Sequence, residues 1–429
     1  MNTGKLISIS ISNFGPFANE TIFSTVSDST KKEFLTENTF EIKENRYNKV
    51  SYIYGANGAG KSNFCKALLQ IQNYLALAPI FASNNPQLME MASFKRKSST
   101  LQNPYKFDVA YSKKPTSFSI EILLRGIIYK YSFSTFDGKI INEKLTKKNK
   151  RTEIILERTS PLYTDITLRS ELKGFENNIS VVKENVLCLS MADFLNIKLA
   201  NDIIQTIQSI RVVNMSVMNL AHVTEESCTT ERIEKYLKVL RVADPTLKNI
   251  KVNFNEQKVE RQKVDVPDLE DRELIVRSVK IDVASTHSMY DGEIECESSK
   301  VPFLQIESNG TIKLFGILPA IFDTLESGGT IIIDEIENGL HTRIVKKIIE
   351  LFNNESTNPF NAQLICTSHC QELIYSGVRR DQIWIVSKTN KGLSSLKRVS
   401  DIAGMRAYET SGKKYLENAF VDIPLSIFM

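Results

Sequence analysis

Two stretches of this chain carry residues whose types and spacing can do phosphate chemistry. The first is Gly55-Ala56-Asn57-Gly58-Ala59-Gly60-Lys61-Ser62. It fits the pattern G-x-x-x-x-G-K-[ST], in which glycines let successive backbone N–H groups turn inward around phosphate oxygens. Lys61 is placed to reach the β- and γ-phosphates of a nucleotide, and the Ser62 hydroxyl to sit on Mg²⁺. The second is Gly328-Gly329-Thr330-Ile331-Ile332-Ile333-Asp334-Glu335. Asp334 is placed to hold the water shell of the same Mg²⁺, and Glu335 to polarise a water for in-line attack on the γ-phosphate. Taken singly, the first is a glycine-rich turn and the second a strand ending at acids; together they predict an ATP site.

The surrounding elements agree with this. Val50–Tyr54 is β-rich, and the residues from Asn63 to Ile71 have apolar positions at helical spacing. The predicted order is strand, loop, helix, with the helix N-terminus presenting free N–H groups and a positive dipole end to an anion. The run Thr330–Ile333 is apolar throughout, as in a strand covered on both faces. Ala362–Ser368 reads the same way and ends in His369, where a γ-phosphate sensor would sit. Upstream, Glu307-Ser308-Asn309-Gly310-Thr311 opens an apolar helix, a second potential anion site or an ordinary cap. Cys366, His369 and Cys370 stand too close along one strand end to form a tetrahedral metal centre. His341 is expected to set the loop after the acidic strand.

The rest of the chain frames these motifs. Its 429 residues allow one large α/β domain plus an inserted lobe. A hydrophobic content of 42% and a charged content of 24% are those of a soluble globular protein. The net charge of +4 neither demands nor excludes nucleic acid. The six scattered cysteines fit free thiols. Met1 to Gly15 has no long apolar run of the signal-peptide kind, and no stretch of about 18 apolar residues occurs, so the expected location is the cytoplasm.

Leu6–Ile11 alternates like a strand, and residues 24–48 read as polar surface structure. Lys95-Arg96-Lys97, after the break at Asn84-Asn85-Pro86, reads as a solvated loop. Phe118–Leu124, Ile127–Phe133 and Gly138–Ile141, with turns at Arg125-Gly126 and Asp137-Gly138, read as antiparallel strands. Helical spacing recurs over Phe194–Val213 and Thr230–Leu240, and residues 252–300 are charge-rich and mixed. The expected division is 1–145, the P-loop and antiparallel half; 146–300, an inserted, mostly helical lobe; and 301–429, the acidic-strand half.

This order of motifs resembles the ABC-type ATPase heads shared by SMC, RecF and OLD-like proteins. Ile11–Phe17 looks like their opening strand and turn, and Glu307–Thr311 like a degenerate ABC signature. The strings Asp334–His341, Thr367–His369 and Arg379–Trp384 resemble more closely the stand-alone AAA/ABC ATPases of bacterial phage-defence and abortive-infection operons. These are often encoded beside RloB-like or other TOPRIM-type effectors. The likeness covers roughly 1–145 and 300–425; the tail departs from it at Leu416–Pro424.

The resemblance implies a P-loop core sheet with an antiparallel β subdomain. It also implies ATP and Mg²⁺ as cofactors, Gln102 as a further Mg²⁺ contact, and Glu335 and His369 as catalytic groups. Two heads would sandwich ATP head to tail, each Gly55–Asn63 segment being completed by Ser308 and Gly310 of the other subunit. The implied function is a regulatory subunit controlling a separately encoded nuclease or toxin. A repair ATPase that binds DNA directly is the alternative. A self-sufficient nuclease is disfavoured, because about 60 residues follow His369, fewer than a further domain of typical size needs.

Overall fold

In the computed structural model, the described residues are 4–28, 30, 32–82, 103–217, 220–264, 272–373 and 377–402. Gln102, Asn84–Pro86, Lys95–Lys97 and Leu416–Pro424 lie outside them. Strands β1 (Lys5–Ser12) and β2 (Thr21–Ser24) open the chain, followed by the hairpin β3 (Thr39–Ile42) and β4 (Asn45–Asn48). β5 (Val50–Gly55) runs through the glycine loop into helix α1 (Lys61–Ala82). A meander follows: β6 (Thr116–Leu124), β7 (Ile127–Phe136), β8 (Lys139–Lys148), β9 (Thr152–Arg158) and β10 (Ile166–Leu168).

Helices α2 (Cys188–Phe194) and α3 (Lys198–Gln208) precede β11 (Arg211–Asn214) and α4 (Thr230–Ala243). Then come β12 (Leu247–Val264), β13 (Arg272–Asp291) and β14 (Ile294–Pro302). The last third holds α5 (Asn309–Ser327), β15 (Thr330–Asp334), α6 (Thr342–Asn353), β16 (Gln363–Ser368), β17 (Ile383–Lys388) and β18 (Ser394–Arg398).

Two large sheets enclose α1. One is antiparallel, in the order β10-β9-β8-β7-β6-β1-β2; the other is the core sheet, β11-β15-β16-β5-β17-β18, parallel except for its β17–β18 edge. Successive side chains on a strand face opposite ways, and the core sheet uses this to feed two cores. Ile53, Ile332 and Ile365 pack with Phe64, Leu68 and Ile71 of α1 and with the antiparallel sheet. Tyr52, Ile331, Ile333 and Leu364 pack on the other side with α4, α5 and α6. Covered on both faces, these strands must be apolar throughout.

The expectation of a mostly helical lobe over 146–300 is corrected. The antiparallel sheet continues through Leu168, and β12–β14 form a separate three-stranded antiparallel sheet. The predicted helix over Phe194–Val213 is two helices and then a strand that joins the core sheet beside β15. Most of the described side chains of β12–β14 are exposed or half-buried, so no continuous apolar run marks them. The available signal was Ile250, Val252 and Phe254 alternating with exposed Lys251, Asn253 and Asn255. Among the described residues, no helix is long and apolar enough to cross a membrane.

Lys5 fastens the antiparallel sheet to the core sheet. It is 5% exposed, and its ammonium donates to the carbonyls of Gly328, Phe360 (2.7 Å) and Asn361 (2.7 Å). Burial pulls its pKa down to about 7. The unfolded chain, where a lysine titrates at about 10, therefore binds more protons above neutrality, and stability rises with pH across that window. Lys5→Met should cost about 2 kcal/mol at neutral pH by leaving buried carbonyls unpaired. The deficit, read by urea unfolding, should widen toward alkaline pH as the wild type gains; a deficit that narrows would contradict this account.

Candidate active site

The glycine loop is shaped by close approach as well as by turn geometry. A Cβ on Gly55 would stand 2.5 Å from the Val386 carbonyl oxygen. Gly60 has φ +124°, and a Cβ there would meet the Ser394 hydroxyl at 3.0 Å and Pro16 at 3.1 Å. The loop is tied to the core-sheet edge by Lys388 Nζ donating to the Gly58 carbonyl (3.3 Å) and Ser394 Oγ donating to that of Ala59. Ala56 is half-buried, Asn57 and Gly58 are exposed, and Ala59 and Gly60 are buried. Ser62 and Asn63 are half-buried in the first turn of α1.

Lys61, 7% exposed, folds over this loop and donates to the carbonyls of Gly55 (2.7 Å) and Ala56 (3.2 Å). Burial lowers its pKa, and Glu337, Asp334 and Glu335, in that order of strength, oppose the shift.

The acidic pair meets this lysine because of strand order. β16 lies between β15 and β5, all three parallel, with Ile333 opposite Cys366 and Ser368 opposite Tyr54. Their carboxyl ends therefore open on one side, where open α/β sheets bind ligands. Asp334, 2% exposed, accepts from Thr367 Oγ1 (2.6 Å) and Asn214 Nδ2 (3.1 Å). The Thr367 oxygen also accepts the Glu335 N–H (2.8 Å). One hydroxyl thus fixes both acids.

Glu335 has φ +56°, a left-handed conformation that a β-carbon disfavours and that strand-end bonding must hold. Its carboxylate accepts from Ser216 Oγ (2.5 Å) and Asn338 Nδ2 (2.9 Å), which lower its pKa in that order. The group is held ionised, able to orient a water and take its proton.

His369 ends β16 with its side chain 56% exposed, and Nδ1 lies 2.7 Å from Glu337 Oε1. His341 accepts the Arg343 N–H at Nδ1 (3.1 Å) and so caps α6. Ser308 caps α5 by accepting the Thr311 N–H (3.1 Å), and a Cβ on Gly310 would stand 2.8 Å from the Gly339 carbonyl oxygen. Among the described residues, the contacts of Ser308 and Gly310 are with their own helix and the loop after β15, not with Gly55–Ser62. Arg379 and Asp381, from another of the resembling strings, form a buried ion pair (2.8 Å) that also binds residues 28 and 33. Its role is structural.

Sequence reasoning named Gly55–Ser62, Asp334, Glu335 and His369, which the fold brings to the ends of adjacent strands. It missed Asn214 and Ser216, and it quoted Glu337 and Thr367 without a role. Glu337 carried a signal, being an acid two residues beyond Glu335; Asn214 and Ser216 carried none before β11 was placed.

Comparison with known proteins now adds the family. The chain matches the family described as "AAA domain, putative AbiEii toxin, Type IV TA system" over residues 50–170 and 229–374, more than half its length. It is similar in structure to an SMC head domain from Thermotoga maritima, at 12% identity and a TM-score of 0.35, covering 92% of this chain and 99% of that one. No curated protein matches it. With the glycine loop and acidic strand inside the matched segments, this chain belongs to that AAA-domain family.

Proposed function

We propose that the chain binds ATP with Mg²⁺ and hydrolyses it to ADP and phosphate, and that this cycle regulates a separately encoded toxic effector, nuclease or toxin, in a bacterial antiviral system. The observation that carries the catalytic part is the convergence of Lys61, Asp334 and Glu335 at the carboxyl ends of adjacent parallel strands. The donor set fits Mg²⁺: Ser62 offers a hydroxyl and Asp334 a carboxylate whose two oxygens retain lone pairs beyond their present bonds. When bound, the ion neutralises phosphate charge.

The chain's own residues do the rest. The N–H groups of Gly58–Ser62 cradle the phosphates, and Lys61 leaves its loop carbonyls for the phosphate oxygens. Glu335, fixed by Ser216 and Asn338, orients the attacking water and accepts its proton. Ser308 and Gly310 of a second copy complete the site, so ATP closes a dimer and hydrolysis opens it. The family description, with its toxin–antitoxin association, supports the regulatory part.

Phosphate release and the molar mass by light scattering, with and without Mg·ATP, test this reading. Turnover with a shift from monomer to dimer is expected; a chain that neither binds nor hydrolyses ATP overturns it. A pull-down from the native host, with tight DNA binding measured in parallel, separates effector control from a repair role.

Thr367→Val keeps the side-chain shape and removes the hydroxyl shared by the two acids. ATP turnover should fall about 10- to 100-fold, as when a partner that orients a reacting group is lost, with ATP affinity changed less than about threefold. Unaltered turnover would mean that the hydroxyl does not position the acids.

A further inference from the structure

We infer that Glu337 is a positioning residue of this site, holding the His369 ring by Nδ1 and leaving Nε2 as the ring atom that faces the phosphoryl group in transfer. The inference rests on the ATP reading above. Glu337 Oε1 lies 2.7 Å from His369 Nδ1 and also accepts the His369 backbone N–H at 2.7 Å. Ring and backbone are therefore anchored by one oxygen. A carboxylate only accepts hydrogen bonds, so the ring proton must sit on Nδ1. A carboxylate behind an imidazole sets its orientation and fixes which ring nitrogen is left toward the site.

Two further observations separate Glu337 from a mere loop anchor. Its side chain is 10% exposed, yet Oε2 is buried with no hydrogen-bond partner among the described residues. A buried acid with a spare oxygen is costly unless something at the site uses it. Of the three acids near Lys61, Glu337 also pulls on that ammonium most strongly. Glu335 is engaged elsewhere, with Ser216 and Asn338. The two acids thus divide the work: Glu335 faces the water, Glu337 holds the histidine.

Two measurements on the full chain test this. The first is ¹⁵N NMR of histidine-labelled protein, with the His369 signals assigned by His369→Asn. The neutral ring should carry its proton on Nδ1; a bare Nδ1 overturns the proposal whether or not the protein turns over ATP. The second is a double-mutant cycle of Glu337→Gln and His369→Ala, reading kcat, KM and the Kd for a fluorescent ATP analogue.

Each single variant should lower kcat about 10- to 100-fold with Kd within about threefold, and the double variant should be no slower than His369→Ala alone. Multiplying effects would show that Glu337 does not act through His369. Glu337→Asp, which keeps the charge, should recover part of the lost kcat, and thermal melting controls for folding. A wild type without turnover but with the proton on Nδ1 would sink the ATPase reading and leave the pairing standing.

Discussion

Glu335→Gln should leave ATP binding intact, reduce hydrolysis at least about 100-fold, and accumulate the ATP-bound dimer. Both hydrogen bonds to this side chain, from Ser216 Oγ and Asn338 Nδ2, end on Oε2. A glutamine can present its amide oxygen to the same two donors. Its NH₂ then replaces the carboxylate oxygen that would take the water's proton. The backbone constraint at φ +56° is unchanged, because the Thr367 hydroxyl and the Glu335 N–H are untouched. The substitution therefore removes basicity and little else. A factor of 100 corresponds to about 2.7 kcal/mol of transition-state stabilisation, within the range of a well-placed general base. Phosphate release measures the rate, and light scattering with ATP measures the trapped dimer. Normal turnover by Glu335→Gln would mean that the base is another group.

Lys61→Ala should weaken nucleotide binding by about 100-fold or more, beyond detection at ordinary concentrations. The ammonium is the buried cation of the loop, and charged hydrogen bonds to phosphate are each worth about 1.5–3 kcal/mol. The backbone N–H groups and the helix N-terminus remain, but the group that neutralises phosphate charge is gone. The carbonyls of Gly55 and Ala56 also lose their donor, so the loop itself should loosen. Calorimetric titration with Mg·ATP provides the measurement. Binding within a few-fold of wild type would place the phosphates somewhere other than this loop. Lys61→Ala should also stay monomeric with ATP, whereas Glu335→Gln should dimerise, so the pair separates binding from hydrolysis.

What the sequence determined by itself is local. Glycines at 58 and 60 before Lys61 mark the proposed phosphate loop because a positive φ is a requirement of the residue itself, whereas the close approach of Val386 that demands Gly55 is a tertiary contact. The apolar runs of β15 and β16 declare strands buried on both faces, and their polar ends, Asp334 and His369, mark where the proposed chemistry stands. These are properties of period and composition.

The tertiary structure alone decided who holds the acids. Ser216 reaches Glu335 across 119 positions of sequence, Asn214 reaches Asp334 across 120, and Thr367 reaches Asp334 across 33. Those partnerships follow from a strand order, β11-β15-β16-β5, that does not follow the chain. Hydrophobic period reports which face of an element is covered and says nothing about which strand will lie beside it. Pairing β11 with β15 is a long-range choice made by packing both faces of one sheet. The same limit explains the lobe: β12–β14 satisfy their backbone against each other while many of their described side chains meet water, so the sequence there shows charge where the structure shows a sheet.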